Sequence, residues 1–421
     1  MRETKEEIEQ SLNIIYLSHY YPPEVNAPAL RVSEFAQEWK KSGHSVTIQT
    51  GFPNHPNGVI PAMYSGKIFE EENTDGVRIL RSYVYATPNK GVFKRGLNYL
   101  SFMVSSVLLS TPRSGRADVV IGTSPQFLVA VAAWITAMFK RAPFVFEVRD
   151  LWPEEIVAVG AIHNKTIIRI LEWIEMFLYR RASLIVAVAQ GTIDTLVDRG
   201  VPREKITLLP NGVLLKRFEN ADGEKIRKQL KFDGEFLVSY IGTHGMAHKL
   251  ETVVGAAEKL KHNNRIRFLM VGDGAEKIKL QKLVAEKGLT NMTFVPQIPS
   301  SEAPDYYSAS DVCLAPLRNV SLFRRNIPSK LYEIMASGKP ILLGAQGESQ
   351  KLVETAKAGM TFEPENEDSL VDRINELFQN RELATRLGMQ GREYVAENHQ
   401  RKDVARRYIE CIRTMLEANK R

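Results

Sequence analysis

Short apolar runs alternate with amphipathic stretches along the whole chain. Most of these runs are continuously apolar, which is typical of parallel strands that are buried on both faces. The strands predicted in the first half are 12–18, 44–50, 77–86, 117–123, 143–150 and 183–189. Those predicted in the second half are 205–211, 235–243, 266–272, 292–298, 311–317, 340–345 and 359–364. Helical patterns lie between them, as at 29–43, 167–180 and 248–263.

This alternation predicts an α/β protein with two Rossmann-like, doubly wound domains. The N-terminal domain is predicted at 1–207 and the C-terminal domain at 208–390, with a boundary near Pro210–Gly212. The tail from Glu382 onward is helical throughout. Two such domains place a ligand-binding cleft between the carboxyl ends of their strands.

Composition narrows the class of protein. The chain has 421 residues, 44% of them hydrophobic and 25% charged, which excludes collagen-like, disordered and disulfide-stapled proteins. Cys313 and Cys411 are too few for a disulfide framework or a zinc site, and they indicate a reducing cytoplasm. The net charge of +7 is diffuse, so no nucleic acid partner is expected. The N-terminus is too charged for a signal peptide, so none is expected, and neither uncharged stretch, 96–112 or 119–139, predicts a transmembrane helix.

Two segments of the first domain carry candidate chemistry. The loop from His19 to Ala29 enters a helix whose free amides could hold an anion, and it lacks the GxGxxG of dinucleotide oxidoreductases. The alternative is a rigid, proline-fixed loop without a ligand. Arg149 and Asp150 close a buried strand, where Asp150 could orient a hydroxyl and Arg149 could hold a phosphate or carboxylate. The alternative there is a local ion pair that caps the next helix.

Two segments of the second domain also carry candidate chemistry. In the turn 241–249, the glycines allow close approach to a phosphate, His244 can donate a hydrogen bond and Lys249 supplies a positive charge. An ordinary glycine turn with a solvated lysine is the alternative. Ser329 is a plausible N-cap, and Glu333 lies one turn later on the same helix face, where it could grip vicinal hydroxyls such as those of a ribose. The alternative is a capped helix with a solvated glutamate.

With these segments the chain resembles the retaining glycosyltransferases of family 4, which have the GT-B fold of two Rossmann-like domains across a cleft. The resemblance rests on the first loop, Asn211–Val213, the glycine turns at Gly242 and Gly272, and the stretch 333–340. The bacterial branch that builds O-antigen and capsule shares three further motifs, which are Tyr20–Pro23, Arg149–Pro153 and Pro328–Lys330.

The resemblance implies a nucleoside-diphosphate sugar as donor, a UDP-sugar before others. Glu333 would then bind the ribose, the amides of 328–331 with the Lys249 side chain would bind the diphosphate, and 295–297 would meet the base. Helices in 391–421 would cross back to brace the first domain. The residues implied on the donor side are Gly242, Thr243, His244, Lys249, Val295, Arg325, Ser329, Lys330, Leu331 and Glu333. Those implied for catalysis are Asp150, Arg149 and Glu333, and those on the acceptor side are His19, Asn26 and Ala27.

Three positions depart from the family pattern. Arg325 stands where the first of the family's two glutamates contacts the donor sugar, and it could pair with a charged sugar instead. The arginine that usually precedes the phosphate lysine is missing, with His244 as a substitute. Leu214 replaces the aspartate that usually follows Asn-Gly-Val.

The expected reaction depends on stabilising the leaving group, because no nucleophile and base pair stands out. No Asp-x-Asp sequence is present, so we expect a metal-independent enzyme without a cofactor. Lys90, Lys94 and Arg95 precede the apolar run 97–109, and Arg113 and Arg116 follow it. A basic-flanked apolar helix could lie in the inner leaflet, and the family resemblance implies a cytoplasmic protein at that surface that meets a polyprenyl-diphosphate-linked glycan. A core helix with a solvated rim is the alternative.

Two other functions stay open on the sequence. One is an isomerase of the UDP-N-acetylglucosamine epimerase kind, which has the same fold and releases no glycosylated product. The other is a catalytically inactive subunit that binds sugar nucleotides as a scaffold, an alternative that Arg325 supports and that Glu333 and Lys249 oppose.

Overall fold

The computed structural model describes residues 11–55, 58–87, 92–158, 160 and 162–419, and it contains two sheets. The first has the strand order β3-β4-β2-β1-β5-β6-β7-β8 and the second β11-β10-β9-β12-β13-β14. The strands of the first are β1 Asn13–Leu17, β2 Ser45–Gly51, β3 Phe69–Thr74, β4 Val77–Ser82, β5 Val119–Thr123, β6 Phe144–Val148, β7 Leu184–Ala187 and β8 Ile206–Leu208. Those of the second are β9 Phe236–Ile241, β10 Ile266–Val271, β11 Met292–Val295, β12 Val312–Pro316, β13 Ile341–Gly344 and β14 Gly359–Thr361.

Helices cover both faces of each sheet. Those before the second sheet are α1 Ala27–Lys41, α2 Val92–Ser105, α3 Thr111–Arg113, α4 Phe127–Lys140, α5 Glu154–Ala158, α6 Lys165–Arg181 and α7 Gln190–Asp198. Those that follow are α8 Gly223–Leu230, α9 Glu251–Lys259, α10 Lys277–Glu286, α11 Ala303–Ala309, α12 Lys330–Ala336, α13 Glu348–Thr355, α14 Glu367–Gln379, α15 Arg381–Asn398 and α16 Arg401–Ala418. Short turns of 3-10 helix include Leu215–Phe218 and Ser321–Arg325, and a π-helical turn at Ser106–Ser110 joins α2 to α3.

The continuous apolar runs are explained by cores on both faces of each sheet. In β1, Ile15 and Leu17 lie in one core cluster while Ile14 and Tyr16 lie in another. Successive side chains of a strand point to opposite faces, so a strand covered on both sides has no polar face. Every predicted strand is present, and the pairs are parallel except that β3 runs antiparallel to β4. The prediction missed β3 because its sequence, FEEENT, lies at a sheet edge and is largely polar.

The boundaries between the domains differ slightly from the prediction. Strand β8 pairs with β7 in the first sheet, and Leu209 N–H donates to the Ala187 carbonyl at 2.9 Å, so the N-terminal domain extends past 207. The predicted strand at 205–211 therefore closes the first domain and does not open the second.

The return to the first domain also lies later than 391. Helix α15 packs closely on the second domain, where a Cβ on Gly388 would meet the Gly338 carbonyl oxygen at 2.1 Å. Helix α16 packs on α1, and Trp39 Nε1 donates to the Ala405 carbonyl at 2.9 Å. The chain therefore crosses at 399–400, and α16 alone braces the N-terminal domain.

Both crossings of the chain between the domains run side by side. Val213 N–H donates to the His399 carbonyl at 2.9 Å, and Arg401 N–H donates to the Val213 carbonyl at 3.0 Å. The two backbones form a parallel bridge at Val213 and Gln400. A Cβ on Gly212 would lie 2.7 Å from the His399 carbonyl oxygen, so only glycine allows this approach without displacement.

The apolar run at 97–109 forms most of α2 and the π-helical turn, with one face in the core and the other exposed. Tyr99 and Phe102 are buried, whereas Leu100, Val104 and Leu108 are among the exposed apolar side chains. Within the described ranges, no helix is long and apolar enough to cross a membrane. Lys90, one of the predicted flanking cations, lies outside the described residues.

We expect Gly212→Ala to destabilise the protein by about 1 to 3 kcal/mol, because the added methyl group forces the two crossings apart. The free energy of unfolding, from urea denaturation followed by circular dichroism, measures the effect. Gly96→Ala in α2 is the control, since its Cβ would have no atom within 4 Å. Equal stability of the Gly212 variant and the wild type would contradict the tight crossing.

Candidate active site

The cleft lies between the carboxyl ends of the two parallel sheets and is spanned by contacts on both sides. Gln297, after β11, donates from Nε2 to the Val25 carbonyl of the first loop at 3.2 Å. Arg325 Nη1 donates to Thr195 Oγ1 on α7 at 2.8 Å. Leu322, on the same 3-10 turn as Arg325, is buried in a core cluster of the N-terminal domain. The two domains therefore touch around a common cleft.

A buried ion pair supports the floor of the cleft in the N-terminal domain. Glu147 on β6 and Arg31 on α1 are both at most 1% exposed, and their side chains meet at 3.2 Å. Tyr16 and Thr123 also donate hydrogen bonds to this carboxylate, at 2.9 and 3.0 Å. Burial alone would raise the pKa of Glu147, but the Arg31 and Arg149 guanidiniums hold it below its usual value. Glu147 therefore stays ionised and orients Arg31.

Arg149 and Asp150 lie at the end of β6, as predicted, and their backbone is fixed by Ser124. Both amides donate to Ser124 Oγ, at 2.7 and 3.1 Å. The Arg149 guanidinium has no hydrogen-bond partner at Nε and Nη1, which are buried. Burial and the neighbouring Arg31 lower its pKa. Arg149 is thus a guanidinium with unused donors at the carboxyl end of a central strand, where α/β ligands bind.

The predicted acceptor side is only partly accessible. His19 is buried among Tyr20, Tyr99 and Phe102, and burial lowers the pKa of its ring to about 3 even though Asn98 opposes the shift. It is therefore a neutral part of the wall. Asn26 caps α1 by accepting the Ala29 amide at 2.9 Å, which leaves its buried Nδ2 without a partner. Ala27 begins α1 beside it.

The glycines at 242, 272 and 274 allow two turns of the second domain to pack closely against each other. Their lack of a side chain is needed for this packing more than for the approach of a phosphate. A Cβ on Gly272 would lie 2.0 Å from the Gly242 carbonyl oxygen, and one on Gly274 would lie 2.5 Å from that of His244. His244 N–H donates to the Asp273 carbonyl at 2.8 Å. Each of these glycines has a positive φ, between 134° and 155°. The two turns form one rigid unit at the end of the sheet.

His244 cannot supply the positive charge of the missing arginine, although both of its buried ring nitrogens lack a hydrogen-bond partner. Its side chain is buried beside Tyr240 and Phe294, and burial, with Lys277 and Lys330 nearby, lowers its pKa to about 4. The ring is therefore uncharged at neutral pH. Thr243 is exposed beside it. Lys249 ends a 3-10 turn in the left-handed conformation, with φ of 45°, and its side chain is partly exposed.

The positive charge at the glycine turn comes from Lys330. Its ammonium lies 3.8 Å from the centre of the Tyr240 ring, and a Cβ on Gly242 would lie 2.9 Å from its Nζ. The Nζ atom is buried and has no hydrogen-bond partner. Burial lowers the pKa of Lys330 to about 7, although Glu333 and Cys313 favour the charged form. The prediction had placed Lys330 here for its backbone amide alone.

Two backbone assignments need correction. Pro328 has no N–H, and the Leu331 amide donates to the Pro328 carbonyl at 3.1 Å, which leaves the amides of Ser329 and Lys330 for a ligand. Ser329 occupies the N-cap position of α12 but its side chain makes no capping hydrogen bond. The Val295 carbonyl accepts from the Gly272 amide and from Lys277 Nζ, at 3.2 and 3.4 Å, so Val295 supports the turn and cannot offer that oxygen to a base.

Glu333 is partly exposed and held by two donors. Tyr307 donates its hydroxyl to Oε2 at 3.2 Å, and Arg217 Nη1 donates to Oε1 at 3.4 Å. Sequence reasoning missed Arg217, because it belongs to no motif. Its place five residues after Gly212, at the start of the second domain, was the signal available. Arg325, one of the predicted donor ligands, reaches across the cleft to Thr195 in this structure. No group of three His, Cys, Asp or Glu side chains suited to a metal ion occurs among the described residues.

Comparison with known protein families divides the chain in the same way as the structure. The model described as "Glycosyl transferase 4-like domain" matches residues 26–212, and the model "Glycosyl transferases group 1" matches residues 222–394. The chain is also similar to the putative colanic acid biosynthesis glycosyl transferase WcaI of Escherichia coli K12. The two are 25% identical over 413 residues, which is 96% of this chain and 100% of the relative.

Solved structures agree on the fold. The sucrose-phosphate synthase of Thermosynechococcus elongatus superposes with a TM-score of 0.77 at 20% identity, covering 97% of this chain and all of the other. HepE of Anabaena, in complex with UDP-glucose, superposes with a TM-score of 0.72 at 15% identity, covering 96% and 100%. At these identities the likeness establishes the fold, and the predicted GT-B architecture is confirmed.

We expect Arg31→Met to cost about 3 to 5 kcal/mol of folding stability, because it leaves the Glu147 carboxylate buried without its countercharge. The double variant Arg31→Met/Glu147→Met should recover part of that loss. Arg78→Met is the matched control, since Arg78 pairs with Glu71 at the surface and its loss should cost less than about 1 kcal/mol. Urea unfolding measures all three, and equal effects at Arg31 and Arg78 would show that the buried pair is not needed.

Proposed function

The chain belongs to glycosyltransferase family 4, whose two domain models match its two domains, and from that premise we propose a retaining transferase of bacterial surface-polysaccharide biosynthesis. It moves a sugar from a nucleoside-diphosphate sugar to a glycan carried on a polyprenyl diphosphate. The full-length likeness to a putative colanic acid biosynthesis glycosyl transferase supports a surface polysaccharide as the product of the pathway. We propose O-antigen, capsule or a related polymer as that polysaccharide. The UDP-glucose complex of HepE supports a UDP-sugar as the donor. The candidate donors include UDP-linked N-acetylamino sugars.

The observation that carries this proposal is the ammonium of Lys330, which is buried without a hydrogen-bond partner. A buried charge without a partner is costly, and a bound anion removes that cost. Lys330 lies against the glycine turn at Gly242, at the end of the first strand of the second domain. A diphosphate bound there would accept hydrogen bonds from the ammonium and from the amides of Ser329 and Lys330, and Lys249 would add charge from the rim.

Glu333 completes the donor site. It follows Lys330 by three residues, so both side chains project from neighbouring positions on one face of α12. A carboxylate accepts hydrogen bonds from the two hydroxyls of a ribose, while the cation one turn earlier meets the adjacent diphosphate. The spacing along the helix thus follows the order of groups in a nucleotide.

In the reaction the bond between the anomeric carbon and the diphosphate oxygen breaks, and negative charge develops on the leaving group. Lys330 and the helix amides stabilise that charge more strongly than they stabilise the neutral glycosidic bond, which lowers the barrier. The acceptor hydroxyl attacks from the face that the diphosphate leaves, and its proton passes to a departing phosphate oxygen. Asp150 and Arg149 orient the acceptor. The reaction as proposed uses neither a metal nor a cofactor.

The acceptor is proposed to reach the cleft from a membrane. Apolar side chains of α2, α4 and α6 are exposed on helices that pack side by side over one face of the first sheet. They are Phe93, Leu97, Leu100, Val104, Met138, Phe139, Ile167, Ile170 and Trp173, and together with Leu108 of the π-helical turn they are here called the helical apolar surface. The exposed cations Lys94 and Arg169 lie on α2 and α6, and the exposed Arg113 lies on α3. This mixture suits the inner leaflet, where anionic headgroups meet hydrocarbon.

We expect the wild type to bind one of UDP, GDP and ADP in EDTA, and Lys330→Met to weaken that binding by about 10- to 100-fold, since a charge-assisted hydrogen bond is lost. Affinity should be highest below pH 7 and should fall as pH rises through 7, because free Lys330, with a pKa of about 7, loses its proton there. The variant should lose this pH dependence. Calorimetry at pH 6 and 8 measures both effects.

Lys351→Met is the control, because Lys351 is an exposed lysine on α13. No binding by the wild type to any of the three nucleotides would overturn the donor site. Turnover then separates the functions: transfer to a lipid-linked acceptor supports the proposal, and conversion of a UDP-sugar without an acceptor indicates an epimerase. Binding with neither indicates a scaffold subunit.

We expect Phe93→Ser/Leu100→Ser/Leu108→Ser to reduce sedimentation with phosphatidylglycerol vesicles more than about tenfold, because each side chain would contribute 1.5 kcal/mol or more on burial. Met389→Ser, at an exposed position of α15, is the control. Wild-type binding should weaken in high salt. Wild type that stays unbound would contradict the membrane role, and a dimer that the triple variant disrupts would assign the surface to a second copy.

A further inference from the structure

Arg217 lies where the chain has just entered the second domain. It belongs to the 3-10 turn Leu215–Phe218, which follows the paired crossing at Val213. The neighbouring Phe218 is buried in the core of the second domain and fixes the turn. The Arg217 side chain, about a fifth exposed, is therefore projected from a rigid backbone.

The Arg217 guanidinium joins three parts of the molecule. Its Nη2 donates to the Ser300 carbonyl at 2.6 Å, three residues after the 295–297 stretch that is predicted to meet the base. Its Nη1 lies 3.4 Å from Glu333 Oε1 and 3.7 Å from Glu34 Oε1 on α1. Glu34 has a nearer partner in Arg401, at 2.6 Å, so the contact of Arg217 with Glu34 is secondary. The main contacts of Arg217 are therefore with the donor side.

Counting the acceptor positions of Glu333 shows what these contacts leave free. An ionised carboxylate has about four lone-pair positions on its two oxygens. Arg217 uses one on Oε1 and the Tyr307 hydroxyl uses one on Oε2. One position remains on each oxygen, in a carboxylate whose orientation is held from both sides. Two vicinal hydroxyls are the donors that match such a pair.

We propose that Arg217 is a positioning residue, which holds Glu333 for the 2′- and 3′-hydroxyls of the nucleotide and thereby sets the preference for ribose over 2′-deoxyribose. This inference rests on the proposed donor site. Without Arg217 the carboxylate keeps only Tyr307 and turns more freely, so the ribose hydroxyls lose a preoriented acceptor.

Calorimetry with UDP and 2′-deoxy-UDP tests this proposal. Where the first titration selects another base, GDP or ADP and its 2′-deoxy form are used instead. We expect the wild type to prefer the ribonucleotide and Arg217→Gln to reduce that ratio of affinities about tenfold, mainly through weaker ribonucleotide binding. Arg217→Lys should restore part of the preference. Lys216→Gln, which removes the same charge from the exposed neighbouring residue, should leave the ratio unchanged.

The double variant Arg217→Gln/Glu333→Gln should show no further loss of preference beyond Glu333→Gln alone, because Arg217 acts through that carboxylate. Equal weakening of both nucleotides by Arg217→Gln would overturn the inference, since it indicates a general structural role. So would an unchanged ratio. A wild type that binds no nucleotide would instead overturn the proposed donor site, so the two failures are distinguishable.

Discussion

The structure depends on the close parallel passage of the two segments that cross between its domains. Gly212 lets the first crossing touch the backbone of His399, and hydrogen bonds on either side of Val213 join it to the second. Charged contacts are built on this passage: Arg31 donates to the Pro210 carbonyl and the Asn211 side chain, at 3.3 and 3.1 Å. The backbone geometry of the two crossings thus sets the position of one domain against the other. The relative position of the domains in turn determines the shape of the cleft.

Buried charges in this protein fall into two kinds, and the difference separates scaffold from site. Arg31 and Glu147 satisfy each other at the floor of the cleft. The Lys330 Nζ atom is also buried but has no hydrogen-bond partner, and two donors of Arg149, Nε and Nη1, are likewise buried without a partner in the N-terminal domain. A fold retains uncompensated charge at a cost, so such groups mark the places where a charged ligand completes the structure. Arg149 follows the carboxyl end of β6, and Lys330 on α12 lies against the glycine turn at the carboxyl end of β9.

The sequence predicts the fold well because every buried strand needs the same apolar pattern, whatever its neighbours. It fails at β3, an edge strand without that requirement, and at the crossing after α15, where nothing local distinguishes residue 391 from 399. The sequence predicts which residues lie at the site better than it predicts what each of these residues does. Glu333 and Lys330 stand in recognisable motifs, yet the burial of His244 and the hydrogen bonds that occupy Val295 depend on distant chain segments. Arg217 has no motif at all.

The contacts between the domains differ in strength, and this bears on Arg325. Around the crossings, backbone hydrogen bonds join the two chain segments, and the buried pair of Arg401 with Glu34 holds the second segment against α1, so both would be costly to break. Across the cleft, Arg325 and Gln297 each make a single hydrogen bond worth about 1 kcal/mol, with the packing of Leu322 beside them. A rotation about the crossings would therefore open the cleft and free Arg325 from Thr195. In this structure the contact with Thr195 holds the Arg325 guanidinium against α7, so Arg325 has a structural partner at the position where the family resemblance places a glutamate.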